Sequence, residues 1–133
     1  MIKGVGIDLV KIERIKKAIN NNGKFLERVF TKKEIIRGEK KKNRYQFYGA
    51  LFATKEAVMK ALGTGWRKGV RWRDIQIIHN NDGKPEVRLV GKTKEIAKKL
   101  GINEVLVSMS HTKEYAVAQA IAIKHGLARI NNG

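Results

Sequence analysis

The segment that most constrains the fold is RYQFYGALFATKEAVMKAL, residues 44–62. Apolar residues such as Phe52 and Met59 recur in it at helical spacing, and good helix formers occur throughout. The glycine-rich triplet Gly63-Thr64-Gly65 follows and is typical of a helix end. The sequence therefore predicts one long helix in the middle of the chain.

Before this helix, the pattern predicts a strand and several short helices. Residues 2–10 are rich in β-branched residues and are typical of a short strand. Isoleucines recur at i, i+3 and i+7 in residues 11–20, which predicts an amphipathic helix. Residues 25–30 suggest a second helical turn, and Thr31 followed by Glu34 matches a capping box that opens another helix.

After the long helix, β-prone segments predominate. Two hairpins are predicted from four of them: 75–79, 87–90, 105–109 and 115–123. Residues 93–100 fit a short helix, and 110–113 a turn. Since helices cluster early and hairpins late, we expect an α+β fold, with an antiparallel sheet packed with one long and several short helices. We expect one domain over residues 1–125 and a frayed tail at 126–133.

The chain carries a large excess of positive charge. It has 29 basic and 12 acidic residues, a formal charge of +17. Residues 11–44 alone hold 13 basic and 4 acidic residues, a net of +9. This charge favours an anionic partner. Charge alone does not distinguish between nucleic acid, an anionic membrane, a phosphorylated cofactor and an acidic protein.

The absence of cysteine excludes disulfides, thiolate nucleophiles and cysteine-ligated zinc, and it fits an intracellular location. No apolar run approaches the roughly 18 residues of a membrane helix, and charges at Lys3 and Asp8 interrupt the N-terminal segment too early for a signal peptide. We expect a soluble, cytoplasmic protein.

Asp8 and Glu56 are the first candidates for chemistry. Asp8 stands where the first strand ends, and Glu56 lies in the long helix among apolar residues. Two carboxylates on an apolar background can hold a hard divalent cation such as Mg²⁺. The residues alone leave another interpretation open, in which Asp8 caps the next helix and Glu56 pairs with Lys60 at i, i+4.

Three further features are ambiguous by themselves. Gly63-Thr64-Gly65 either brings backbone N–H groups to a phosphate or simply ends the helix. His111 either donates to a phosphate or is a hydrogen-bonded turn residue. Trp66 and Trp72 either stack on a base or pack in the core or an interface. Serine-hydrolase chemistry at Ser108-Met109-Ser110-His111 is disfavoured, because the third member and the elbow glycines are missing.

The order and spacing of three motifs resemble the holo-[acyl-carrier-protein] synthase family of the 4'-phosphopantetheinyl transferase superfamily. The motifs are GIDLVKIER at 6–14, FATKEAVMKALGTG at 52–65, and SMSH at 108–111 with AVA at 116–118. They span nearly the whole chain. Together they are a far more specific signal than any one of them.

The resemblance implies transfer of 4'-phosphopantetheine from coenzyme A to a serine of an apo-acyl carrier protein, with release of adenosine 3',5'-bisphosphate. It implies that Asp8 and Glu56 ligate Mg²⁺ and that Lys60 lies near the phosphates. Gly63, Thr64, Gly65 and His111 match family positions near the nucleotide or the phosphates. The serine is deprotonated directly or through a water near Glu56, and these two routes stay open.

The same resemblance implies partners. Arg14 matches a position that docks the acidic carrier protein, and the family implies homotrimers with active sites between protomers and a role in fatty acid biosynthesis. It implies no membrane and no specific nucleic acid. One residue departs from the pattern, because Leu51 stands where family members often carry an arginine.

Two rival interpretations follow from charge. A nucleic-acid-binding module fits a charge of +17 but lacks a recognised nucleic-acid-binding motif. A structural protein that binds an acidic partner through its lysine-rich helices predicts that Asp8 and Glu56 are dispensable.

Overall fold

Five strands form two separate antiparallel sheets in the computed structural model, which describes residues 1–65 and 69–126. The larger sheet has the order β1-β5-β4, with β1 at Ile2–Lys11, β4 at Glu104–His111 and β5 at Tyr115–Ile123. The smaller sheet pairs β2, Ile75–His79, with β3, Pro85–Leu89. The α+β class and its antiparallel pairing are confirmed.

Five α-helices and one short 3₁₀ turn complete the part of the chain that the structure describes. They are α1 Ile12–Asn21, α2 Phe25–Val29, α3 Lys32–Glu39, α4 Arg44–Leu62, the 3₁₀ turn Trp72–Asp74 and α5 Gly91–Lys99. Helix α4 has the bounds predicted from sequence, and Gly63 ends it in the left-handed conformation with φ +76°. Trp66 and all of the predicted tail except Gly126 lie outside the described residues.

The predicted capping box at the start of α3 is confirmed. The Thr31 hydroxyl accepts a hydrogen bond from the backbone N–H of Glu34 at 3.2 Å, and the Thr31 N–H donates to Glu34 Oε1 at 2.8 Å. Two N–H groups that the first helical turn leaves without partners are thereby satisfied. The local sequence therefore fixes where α3 begins.

Helix α4 lies across one face of the larger sheet, and small residues bring the two close together. The inward residues of the central strand β5 are all alanines, at 116, 118, 120 and 122, and all are buried. On β1, a Cβ added at Gly4 would lie 2.1 Å from the carbonyl oxygen of Ala61, and one at Gly6 would lie 2.0 Å from that of Ala57. Only glycine permits this backbone-to-backbone contact.

The opposite face of the larger sheet is largely exposed and carries several apolar side chains, with the polar residues Gln119 and Ser108 in the same row as Ile7. Val5, Ile7 and Leu9 alternate with the inward residues of β1, and each is more than 60% exposed. Val5 stands beside Ile121 of β5, which in turn stands beside Leu106 of β4. We call the surface formed by these five apolar residues the outer sheet face.

Two strand boundaries differ from the sequence prediction. The predicted turn at 110–113 begins too early, because Ser110 and His111 continue the β4 ladder opposite Val117 and Ala116. Strand β3 begins at Pro85, two residues earlier than predicted, because a first strand position does not require the N–H that proline lacks. No helix among residues 1–65 and 69–126 is long and apolar enough to cross a membrane.

Candidate active site

Asp8 and Lys60 meet where β1 crosses α4. Asp8 lies on the α4-facing side of β1, between the buried residues Gly6 and Val10. Lys60, in the last turn of α4, donates from Nζ to Asp8 Oδ1 at 3.1 Å and to the Ile7 carbonyl oxygen at 2.9 Å. The Asp8 side chain is 14% exposed and that of Lys60 is 51% exposed, so the ion pair joins a mostly buried carboxylate to a half-exposed ammonium.

Glu56 lies one helical turn before Lys60 and is half-buried. Burial raises the pKa of its carboxyl group above the usual glutamate range, and the negative charge of Asp8 raises this pKa further. The charges of Lys60 and Arg14 act in the opposite direction. The structure therefore brings two carboxylates and two cations into electrostatic reach of one another.

The simpler interpretation of these residues is wrong. Helix α1 begins after Lys11, which is its N-cap and supplies no side-chain cap, so Asp8 does not cap it. The ammonium of Lys60 forms its ion pair with Asp8 instead of the predicted i, i+4 pair with Glu56. A carboxylate from a strand and one from a helix therefore face the same point.

The positive charge of Arg14 acts on Glu56. Its side chain is exposed on α1, and its charge lowers the pKa of Glu56. Interactions between exposed charges fade beyond about 10 Å in ordinary salt. Arg14 therefore borders the site and faces solvent at the same time.

His111 shares the α4-facing side of the sheet with Asp8. It stands in one cross-strand row with Ala116 and Val10, whereas Asp8 stands in the next inward row with Ala118 and Met109. Two strand spacings separate β4 from β1, about 10 Å. His111 is exposed, and its Nδ1 lies 3.4 Å from the Thr112 carbonyl oxygen. The structure therefore places it at the edge of the site, at the end of a strand and not in a turn.

The loop after α4 is open on one side. Gly63 and Gly65 have φ values of +76° and +55°, and within residues 1–65 and 69–126 no atom other than those of their chain neighbours lies within 4 Å of where their Cβ atoms would be. Thr64 between them is buried, and its hydroxyl donates to the Gly65 carbonyl oxygen at 2.8 Å. The loop follows Lys60 by three residues, so its open backbone lies beside the charge cluster.

The structure also shows a buried ion pair that the sequence interpretation missed. Lys55 is fully buried and donates to Glu34 Oε1 at 2.7 Å, to the Val29 carbonyl oxygen at 2.8 Å and to that of Trp72 at 3.2 Å. Burial lowers the pKa of Lys55, and the carboxylate of Glu34 opposes that shift. The helical period could have indicated it, because Lys55 points about 100° away from Glu56 on the helix.

Leu51 also has a structural explanation. It is 1% exposed and belongs to the hydrophobic core. A charged side chain held at that depth would need a buried partner. The position where family members often carry an arginine therefore contributes to the core in this chain.

The residues at the site fit a hard divalent cation. Asp8 and Glu56 offer only oxygen donors, and the mutual repulsion of their charges is the kind that a bound cation relieves. Within residues 1–65 and 69–126, no group of three or more His, Cys, Asp or Glu side chains could hold a metal. Water and phosphate oxygens would have to complete the coordination, as is usual for Mg²⁺.

Carboxylates and cations gathered over one sheet of an α+β fold suit chemistry at phosphate groups. The model of the 4'-phosphopantetheinyl transferase superfamily matches residues 4–120. The chain belongs to this superfamily. Membership supports the interpretation of the chain as a transferase.

Individual relatives agree with this membership. A holo-[acyl-carrier-protein] synthase of Caldanaerobacter subterraneus is 51% identical over 119 residues, which is 90% of this chain and 93% of the relative. The crystal structure of the Neisseria meningitidis holo-[acyl-carrier-protein] synthase superposes with a TM-score of 0.86 at 34% identity, covering 93% of this chain and all of that one. The crystal structure of the Bacillus anthracis enzyme, in complex with coenzyme A (3',5'-ADP), superposes with a TM-score of 0.79 at 35% identity. The match covers 94% of this chain and 99% of that one.

Proposed function

We propose that this chain transfers the 4'-phosphopantetheine group of coenzyme A to a serine of apo-acyl carrier protein and releases adenosine 3',5'-bisphosphate. The observation that carries the proposal is the convergence of Asp8, Glu56 and Lys60 at the crossing of β1 and α4. Phosphoryl-type transfer needs positioning and charge stabilisation above all, and this cluster offers both signs of charge.

Each charged residue has a separate role in this proposal. Asp8 and Glu56 hold Mg²⁺, which when bound supplies neutralising charge for the diphosphate of coenzyme A. Lys60 stabilises negative charge on the leaving nucleotide. Glu56 also accepts the proton of the attacking carrier serine, directly or through one water.

The nucleotide is proposed to lie along the open loop and the end of β4. Gly63, Thr64 and Gly65 leave backbone free on one side, which suits close approach of a phosphate. His111 lies on the same side of the sheet as Asp8 and can donate to a phosphate oxygen. The coenzyme A complex of the Bacillus anthracis relative supports this class of ligand.

The carrier protein is proposed to dock beside α1. Arg14 is exposed and borders the carboxylates, and residues 11–44 carry a net charge of +9. An acidic carrier would meet complementary charge at this surface, which raises the rate of encounter more than it raises affinity. Docking here would bring the carrier serine to the site.

A homotrimer is proposed to cover the outer sheet face. Val5, Ile7 and Leu9 form an apolar strip, each residue more than 60% exposed, of the kind that marks an interface. The family resemblance implies three copies with active sites between them. The chain is further proposed to act in the cytoplasm as a single-domain enzyme that supports fatty acid biosynthesis.

A transfer assay tests the proposal. The protein is mixed with apo-acyl carrier protein, coenzyme A and Mg²⁺, and the carrier is weighed by mass spectrometry. We expect a gain equal to one phosphopantetheine group, lost with excess EDTA and lost with a carrier whose acceptor serine is alanine. An unchanged carrier mass in the complete mixture would reject the function.

A further inference from the structure

Lys60 occupies one of the carboxylate oxygens that are proposed to bind the cation, Asp8 Oδ1. Its ammonium has three N–H donors, and it directs two of them to Asp8 Oδ1 and the Ile7 carbonyl oxygen. Building on the proposed function, we propose that Lys60 is a latch. In the chain alone its ammonium holds Asp8 and opposes binding of the divalent cation, and coenzyme A releases it.

The ammonium and the cation compete because they need the same carboxylate. Asp8 is only 14% exposed, so little of it remains open to a second positive group. A divalent cation bound there would lie within a few ångströms of an ammonium, where like charges repel strongly. Repulsion from the ammonium therefore weakens binding of the cation for as long as Lys60 stays on Asp8.

The latch can open because Lys60 is weakly held. Its side chain is 51% exposed, and ion pairs with exposed partners contribute little to stability. A lysine also has a long flexible stem that lets its charge move. The diphosphate of coenzyme A offers it a doubly charged acceptor, and charge-assisted hydrogen bonds to phosphate are strong.

This exchange couples two binding events. If coenzyme A draws Lys60 away from Asp8, it raises the affinity of the site for the cation, and the cation raises the affinity for coenzyme A by the same factor. We expect a factor of about ten, within the usual range of such couplings. Lys60 thereby has a role before any bond is broken, in addition to its proposed contact with the leaving group.

Metal binding measured without catalysis tests the latch. Mn²⁺ is titrated into the purified protein and the free ion is followed by electron paramagnetic resonance, with and without coenzyme A. For the unsubstituted protein we expect coenzyme A to tighten Mn²⁺ binding about tenfold. For Lys60→Met we expect binding about tenfold tighter without coenzyme A, and a smaller further gain than in the unsubstituted protein when it is added, because phosphate oxygens can still bind the cation.

Two control variants bracket this result. Lys11→Met removes one positive charge from the exposed end of β1 and should leave Mn²⁺ affinity within about twofold. Asp8→Asn should lose Mn²⁺ binding. Equal or weaker Mn²⁺ binding by folded Lys60→Met would overturn the latch. If that variant is unfolded by circular dichroism, the unsubstituted protein decides, and an affinity that is independent of coenzyme A overturns it.

The transfer assay on the same preparations separates this inference from the proposed function. Coupling of Mn²⁺ and coenzyme A without transfer to the carrier would leave the latch standing and reject the function. Transfer without coupling would reject the latch alone.

Discussion

At the scale of single residues, neighbours in sequence have unlike environments. Lys55 is fully buried among acceptors from α2, α3 and the 3₁₀ turn, whereas Glu56, the next residue, is half-buried beside Asp8. The two side chains point to different sides of α4, because successive residues on a helix differ by about 100°. One of them stabilises the fold, and the other is proposed to act in the reaction.

Removing either proposed metal ligand should stop transfer without unfolding the chain. We expect Asp8→Ala and Glu56→Ala each to lower kcat at least about 100-fold, because preorganised charge at a reacting phosphate contributes on that scale. Glu95→Ala, on the exposed side of α5, is the matched control and should be close to normal. Carrier modification by mass spectrometry gives the rates, and circular dichroism checks the fold. Magnesium-dependent activity retained in both variants would rule these residues out as ligands.

The raised pKa of Glu56 predicts a pH-dependent gain in stability when its charge is removed. The folded chain holds this proton more tightly than the unfolded chain, so ionisation of Glu56 destabilises the fold once the pH exceeds the raised pKa. With metal removed by EDTA, Glu56→Gln should raise Tm at neutral pH by about 1–3 °C, a small gain because the side chain is half-exposed. Near about pH 4, where glutamate is largely protonated, the two proteins should melt alike. A gain of equal size at both pH values would contradict this account.

Breaking the buried pair should be costly. Lys55→Met leaves the Glu34 carboxylate buried without its cation, so we expect a loss of about 3–5 kcal/mol in the free energy of unfolding. Urea denaturation measures it. The double variant Lys55→Met/Glu34→Gln removes both charges, keeps an amide oxygen as acceptor at this position, and should recover part of the loss. A double variant no more stable than Lys55→Met would show that the lost hydrogen bonds to the Val29 and Trp72 carbonyl oxygens, and not the unpaired charge, set the cost.

At the scale of elements, the contact between β1 and α4 determines the site. Glycines at 4 and 6 let the strand backbone touch the helix backbone, and Asp8 on the same side of the strand is thereby placed beside Lys60. The four inward alanines of β5 keep the helix equally close to the central strand. The distance between the two carboxylates is thus set by residues that have no charge.

Gly6→Ala should therefore disturb stability and activity together. Its Cβ would stand 2.0 Å from the Ala57 carbonyl oxygen, so the strand must move away from the helix. We expect a loss of about 1–3 kcal/mol, as for other overpacked cores, measured by urea denaturation, and a fall in transfer rate. Gly23→Ala, whose added Cβ meets no atom within 4 Å, should change stability by less than about 0.5 kcal/mol. A normal transfer rate in Gly6→Ala would show that the close contact between β1 and α4 is not needed to position the site residues.

The elements that the sequence predicted well are those with local signals. The capping box at Thr31 and the bounds of α4 follow from neighbouring residues, so they could be predicted from the sequence alone. Pairing of Asp8 with Lys60 across 52 residues could not, because it depends on how a strand crosses a helix. The sequence prediction ended β4 too early for the same reason. Ser110 and His111 have no strong strand preference of their own, and they belong to β4 because they pair with β5, where His111 stands opposite Ala116.

At the scale of the whole molecule, one face of the larger sheet packs against α4, and on the other face Val5, Ile7 and Leu9 are exposed among the residues that the structure describes. The outer sheet face carries apolar side chains on three strands. Isolated apolar residues are common on surfaces, but a contiguous apolar sheet face indicates an interface. Assembly of three copies is the proposal that accounts for it.

Placing a charge on this face should separate the copies. We expect Ile7→Glu to convert the assembly to monomers, because an interface would bury an unpaired carboxylate. Size-exclusion chromatography with light scattering gives the mass. Ile36→Glu on α3 is the matched control, since Ile36 is 56% exposed but lies away from the sheet, and it should leave the mass unchanged. A mass near 15.1 kDa for the unsubstituted protein would show that it is a monomer.

The alternation along β1 has a consequence for how this chain can evolve. Asp8 faces the helix between Ile7 and Leu9, which face outward. Adding or deleting one residue in the strand would exchange the two sides, so the carboxylate would point into the apolar face and an isoleucine or leucine into the charge cluster. Point substitutions in β1 can be selected one at a time, but an insertion or deletion there would disturb the proposed site and the proposed interface in a single step. We therefore expect length variation among descendants of this sequence to fall outside this strand.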